Sequence, residues 1–288
     1  MKLKSYTFCM VFTAALLLVG CKNGRPASPF SDGEERPSAE LQDSSSVFFG
    51  EDLSETAEDV PMPLAADELF DDFFFNFAGN SRLQRQRILF PLKVTDGDGN
   101  IMHLQRNEWK TDPFFMEQDF YTLIFDTPLQ AEAAKDTSIV HAVVERINLD
   151  ADFVSQYVFD RQQGRWFLTT IHHEPLAVNH NASFLEFYQH FSTDSLFQVN
   201  SLNPLINFTA TDPDDEFNTI TGTMVPSQWE AFRPSVIPSG TIYNIVYGNL
   251  LPEGSEKLFV IHGIANEMEA QMTFRRRHSG WKLMGFSN

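Results

Sequence analysis

Two stretches of the chain set aromatic side chains at the spacing of a single helix face. Phe70, Phe73, Phe74 and Phe77 fall at i, i+3, i+4 and i+7, with Ala66 and Leu69 leading into them, and Phe184, Phe187, Tyr188 and Phe191 repeat the spacing. Helices buried along that face are the expected result. Further on, the period changes from helical to alternating. Met268, Ala270, Met272 and Phe274 alternate with Glu269, Gln271, Thr273 and Arg275, as in a half-buried strand. Phe153, Tyr157 and Phe159 do the same ahead of a turn at Gln163-Gly164.

The two stretches belong to a longer self-similarity. Phe70, Phe73, Phe74 and Phe77 each precede their counterparts by 114 positions, an offset shared by Ser81 with Ser195, Gln84 with Gln198 and Ile88 with Leu202. Trp109 precedes Trp229 by 120, and Phe159, Trp166 and Leu168 precede Phe274, Trp281 and Leu283 by 115. An offset this steady across aromatic landmarks predicts two domains of one kind, 65–176 and 180–288, joined by a short connection. Each reads as α+β, with N-terminal helices packed on a bent antiparallel sheet. Two such domains on one chain also predict a monomer, in which the halves pair as an intramolecular pseudo-dimer and bury strand residues such as Val154 and Val158.

The first residues change the picture of where the protein works. Lys2 and Lys4, the apolar run Phe8–Val19 and then Leu18-Val19-Gly20-Cys21 read as an export signal over 1–20 with a lipidation site at Cys21. Residues 21–64, rich in Ser, Pro, Glu and Asp, are expected to form a disordered acidic tether with a reach of about 35 Å. Loss of the two lysines takes the formal net charge from −18 to −20, which disfavours nucleic acid and anionic membrane surfaces as partners. Acyl chains are then the means of membrane attachment. Lys22-Asn23 after the cysteine lacks an inner-membrane retention signal of the Asp type, pointing to the outer membrane of a Gram-negative cell envelope.

Phe-rich helices followed by a bent sheet ending in hairpins Phe159–Gly164–Trp166 and Phe274–Gly280–Trp281 make each half similar to the nuclear transport factor 2-like, cystatin-like superfamily. With the lipidation motif, the chain looks like a group of Bacteroidetes lipoproteins. The resemblance implies a cone-shaped domain and brings no catalytic motif with it. The superfamily hosts isomerases, dehydratases, adaptors and binding modules on one cone, so the fold alone assigns none of these.

Candidate chemistry is sparse. Asp96-Gly97-Asp98-Gly99-Asn100 lacks the later ligands of a calcium loop and reads as a hairpin turn. His172-His173-Glu174 alternates across a strand, so no metal site is expected, and no cofactor. Val140-His141-Ala142-Val143 and Ile261-His262-Gly263-Ile264 place a histidine at equivalent points of a strand in both halves, making His141 and His262 candidates for the cone mouths. Tyr157, Trp109 and Trp229 complete the candidate ligand-binding set. An isomerase-type set drawn from Asp119, Tyr121, Glu145 and Tyr157 has no obvious counterpart in the second half. The first reading is a non-enzymatic module that binds a peptide, glycan or apolar small molecule in or between its cones. The alternatives are an isomerase- or dehydratase-like enzyme and a structural subunit of an envelope complex.

Overall fold

Asn80 ends one helix and begins the next. It closes α1 (Phe70–Gly79), and its side-chain oxygen accepts the amides of Arg82 and Leu83 at 3.0 Å each to start α2 (Ser81–Gln86). Asp194 does the same between α4 (Ala182–Thr193) and α5 (Ser195–Asn200), accepting from Leu196 and Phe197. A computed structural model describes residues 64–287, apart from 213, 214, 265 and 267. The expected export signal over 1–20, Cys21 and the expected tether over 21–64, as far as residue 63, lie outside the described residues. Among the described residues no helix is long and apolar enough to cross a membrane.

The helix faces are buried as their spacing demands. Phe73, Phe74 and Phe77 are fully buried, and their rings meet Phe159 edge-on at 5.3–5.9 Å between centroids. In the second half Phe184, Phe187 and Phe191 meet Phe274 in the same way at 5.2–5.7 Å. Trp166 and Trp281 cap the two clusters against Phe70 and Phe184. A buried Asp67 accepts a two-pronged contact from Arg87 at 2.7 and 2.8 Å and so ties the chain before α1 to the end of α2.

The fold is α+β, built on two six-stranded sheets. The first half supplies β1 (Ile88–Thr95), β2 (Ile101–Leu104), β3 (Phe120–Phe125), β4 (His141–Asn148), β5 (Phe153–Gln162) and β6 (Arg165–Pro175). A short helix α3 (Pro128–Glu132) follows β3. The second half repeats the strand order with β7 (Leu202–Asp212), β8 (Asp215–Met224), β9 (Thr241–Tyr247), β10 (Glu256–Gly263), β11 (Glu269–Arg277) and β12 (Gly280–Ser287), but its short helix α6 (Trp229–Phe232) precedes its third strand.

Neither sheet is made by one half alone. The first runs β2-β1-β6-β5-β4-β9 and the second β3-β10-β11-β12-β7-β8, so each half lends its third strand to the other. β9 pairs with β4 from Ala142↔Tyr247 to Asn148↔Thr241, and β3 pairs with β10 from Leu258↔Phe125 to Gly263↔Phe120. The cores mix accordingly. The first takes in Val260 and Tyr243 from the second half, while the second takes in Ile124, Ile147, Leu149 and Val154 from the first. Val158 is only half-buried. The expected sheets are antiparallel throughout, yet each contains one parallel pair, β1 with β6 and β7 with β12. The intervening strands act as the long crossover that parallel pairing needs.

Candidate functional site

Strand register fixes which residues of the two halves correspond. Phe159 pairs with Ala142, and its counterpart Phe274 pairs with Lys257, so β4 and β10 correspond at an offset of 115. On that register Ile261 occupies the place of Arg146, and Met272 that of Tyr157. Thr122 of β3, opposite Ile261, stands where Tyr243 of β9 stands opposite Arg146.

At the first of these positions a polar network closes the mouth between sheet and helices. Arg146 donates from Nε to the Tyr243 hydroxyl at 2.7 Å and from one terminal nitrogen to the Tyr157 hydroxyl at 3.0 Å; the other pairs with Asp112. Tyr157 in turn donates to Asp112 at 3.1 Å. The guanidinium lies 5.5–5.7 Å from the ring centres of Phe114, Tyr157 and Tyr243. Burial pushes the Tyr157 phenol well above its usual range, and the Asp112 charge adds to the push. These groups satisfy one another and hold the segment before β3 against the sheet.

At the second position no such network forms among the described residues. Ile261, Met268, Ala270, Pro234 and Val236 line a cavity of about 280 Å³, with Thr211, Ser235 and Glu269 at its polar side. Behind it the cone is filled by the protein's own Phe184, Phe187, Phe191, Phe274 and Trp281.

Of the sequence candidates, only Tyr157 stands at a mouth. Trp109 and Trp229 are buried core residues whose indole N–H groups donate to Gln84 at 3.1 Å and to Gln198 at 3.2 Å. His141 and His262 do not correspond. His141 opens β4 with Nδ1 at 2.7 Å from Asp160, and the matching residue of β10 is Glu256. His262 lies near the far end of β10, opposite Tyr121 and Glu269, with its ring stacked on Tyr121 at 5.4 Å. Burial holds the His262 imidazole below its usual pKa, against the opposing pull of Glu269.

The isomerase-type set also separates. Glu145 and Arg146 are neighbours on β4 and face opposite sides. Glu145 is fully buried away from the mouth, where Asn179, Gln156 and Asn244 donate to it at 2.8–3.0 Å. His173 turns to Ser155 at 3.0 Å, while Glu174 accepts from Asn179 and Gln156. Among the described residues no three His, Cys, Asp or Glu side chains are grouped to hold a metal ion. Sequence reasoning passed over Arg146, Asp112 and Tyr243. The available signal was a charged pair, Glu145-Arg146, inside an otherwise apolar strand.

A family model described as a domain of unknown function, DUF4348, matches residues 50–288. The chain belongs to the DUF4348 family. The crystal structure of an NTF2-like protein (BF2862) from Bacteroides fragilis NCTC 9343 is 38% identical to it, covering 79% of this chain and 98% of that one, with a TM-score of 0.70. That likeness gives this DUF4348 chain an NTF2-like fold. No curated protein matches it.

Proposed function

We propose that this DUF4348 chain is an exported, lipid-anchored envelope protein that acts as a non-enzymatic binding module, with the mouth of its second half as the seat of a small apolar molecule. The difference between the two mouths carries the proposal. One fold position is stoppered by Arg146, Asp112, Tyr157 and Tyr243; its counterpart is an open cavity of about 280 Å³ walled mainly by Ile261, Met268, Ala270, Val236 and Pro234. That volume lies just below the roughly 300–1,000 Å³ usual for ligand sites, and apolar walls with a few polar groups favour a compact apolar ligand over a glycan. Among the described residues that line it Glu269 is the one carboxylate, and it already accepts from Gln271 at 3.1 Å. A lone exposed carboxylate suits orientation of a ligand better than acid–base chemistry, which calls for two groups of opposed character across the cavity.

Anchoring rests on the sequence Leu18-Val19-Gly20-Cys21, which makes Cys21 the lipid-bearing residue, and on a net charge that gives anionic membranes nothing to attract. The outer membrane is the proposed location. The exchanged strands support a monomer, since each half already has its partner on the same chain.

Titration with an apolar fluorescent probe tests the binding assignment. Ser235 is exposed at the lip of the cavity, so Ser235→Trp covers the mouth without disturbing the core. Probe binding should be lost in that variant and kept in the unchanged chain. Equal binding by both would overturn the assignment.

A further inference from the structure

Beyond the point where Thr122 meets Tyr243, the facing edges of β3 and β9 border a second cavity, of about 80 Å³. Ile124, Phe125, Ile245, Val246 and Leu251 line it with their apolar surface. Asp126, Gln130 and Asn249, and His180 with Asn181 from the segment joining the halves, supply its polar lining.

Three observations give this cavity a charge preference. Asp126 accepts Lys257 Nζ and the Gly254 amide (3.2 Å) on Oδ1 alone; among the described residues none donates to Oδ2. β9 bonds β4 through its even-numbered residues, continuing to Gly248, whose amide donates to His141 O at 2.8 Å. The Ile245 carbonyl is therefore turned the other way, to the side on which Tyr243 meets Thr122. Finally, carboxylates outnumber cations. His180 Nδ1 lies 3.5 Å from the buried Glu145 carboxylate without a hydrogen bond, and Glu174 shares the Asn179 and Gln156 donors with Glu145. Lys257 pairs with Asp126 and also donates to Asn181 Oδ1, which leaves Glu145 and Glu174, beside the cavity and not in its lining, without a lysine or arginine partner among the described residues.

The geometry points to a binding site for a primary ammonium group on a short aliphatic stem, its charge held by Asp126 Oδ2 and the Ile245 carbonyl and its stem against Ile124, Val246 and Leu251. The size agrees: at about 10–15 Å³ of such space for each water-sized group, a cavity of about 80 Å³ has room for the ammonium and a short stem. Such a group is carried both by free alkylamines and by lysine side chains. The whole-chain charge of −18 draws either towards the surface.

Titration of the full chain in detergent with n-propylamine, followed by amide NMR, tests this site separately from the second mouth. The amides of His180, Asn181 and Ile245 should shift with saturation in roughly the millimolar range, the ceiling for so few atoms. The neutral isostere n-propanol should bind at least about tenfold more weakly. Ala133 also lines the cavity and takes no part in the polar network, so Ala133→Phe should abolish the shifts; Asp126→Asn should weaken binding by about tenfold or more. A short peptide with one lysine distinguishes the sources: binding as tight as propylamine supports a polypeptide side chain, and weaker binding supports a free amine. Propanol binding as well as propylamine, or unchanged binding by Ala133→Phe, would overturn the assignment.

Discussion

Thr122 and Tyr243 hydrogen-bond where the two exchanged strands meet: the Thr122 hydroxyl donates to the Tyr243 carbonyl and accepts the Tyr243 amide at 3.2 Å. Nearby the Asn244 side chain accepts the Ile124 amide at 2.8 Å. Two buried polar side chains thus cap strand edges that would otherwise be left without partners. Cutting the chain between the halves removes from each a strand and part of its core. Either half produced alone is expected to lack a cooperative unfolding transition, and mixing the two should restore one. The uncut protein should show the mass of a single chain in light scattering. Halves that unfold alone with the stability of the whole would contradict this.

Phe73 is fully buried against Phe77 and Phe159, and Phe187 packs on Phe191 and Phe274. Replacing either with Ala removes apolar burial and leaves a cavity, at a cost of about 3–5 kcal/mol. Denaturant unfolding of Phe73→Ala and Phe187→Ala measures it, and an unchanged midpoint in both would mean that these faces do not carry the cores.

The helices, the strand periods and the core roles of the phenylalanines were legible because each follows from local spacing. The exchange of β3 and β9 was not: an apolar run such as Leu123-Ile124-Phe125 reports burial without naming the sheet that buries it. The histidine correspondence failed through loop length. His141 and His262 are 121 apart, which is the offset of β3 to β9; the connection from β9 to β10 is shorter than that from β3 to β4, so β4 and β10 correspond at 115. Arg146 was hidden because Asp112 and Tyr243, the groups that make it a stopper, lie far away in sequence on a loop and on an exchanged strand.

Asp71 of α1 accepts the Tyr247 hydroxyl at 2.7 Å, and burial raises its pKa from 3.8 to about 6, partly opposed by that bond and reinforced by Asp72. The folded state therefore holds a proton between those values that the unfolded state releases, so stability falls as pH rises through this window. The full effect is on the order of 2–3 kcal/mol. Asp71→Asn has no proton to lose, so its stability relative to the unchanged protein should improve between pH 4 and pH 7, as read by urea unfolding at each pH. Parallel pH profiles would show that Asp71 does not titrate in the folded protein.

The claim that the mouth of the second half is a binding site and that of the first is not can be tested by soaking crystals with a small brominated hydrocarbon and locating the bromine by anomalous scattering. The predicted result is a peak among Ile261, Met268 and Ala270, with none at Arg146, Tyr157 and Tyr243. Peaks at both mouths, or at the Arg146 mouth alone, or a second mouth that stays empty under saturating conditions would contradict the account.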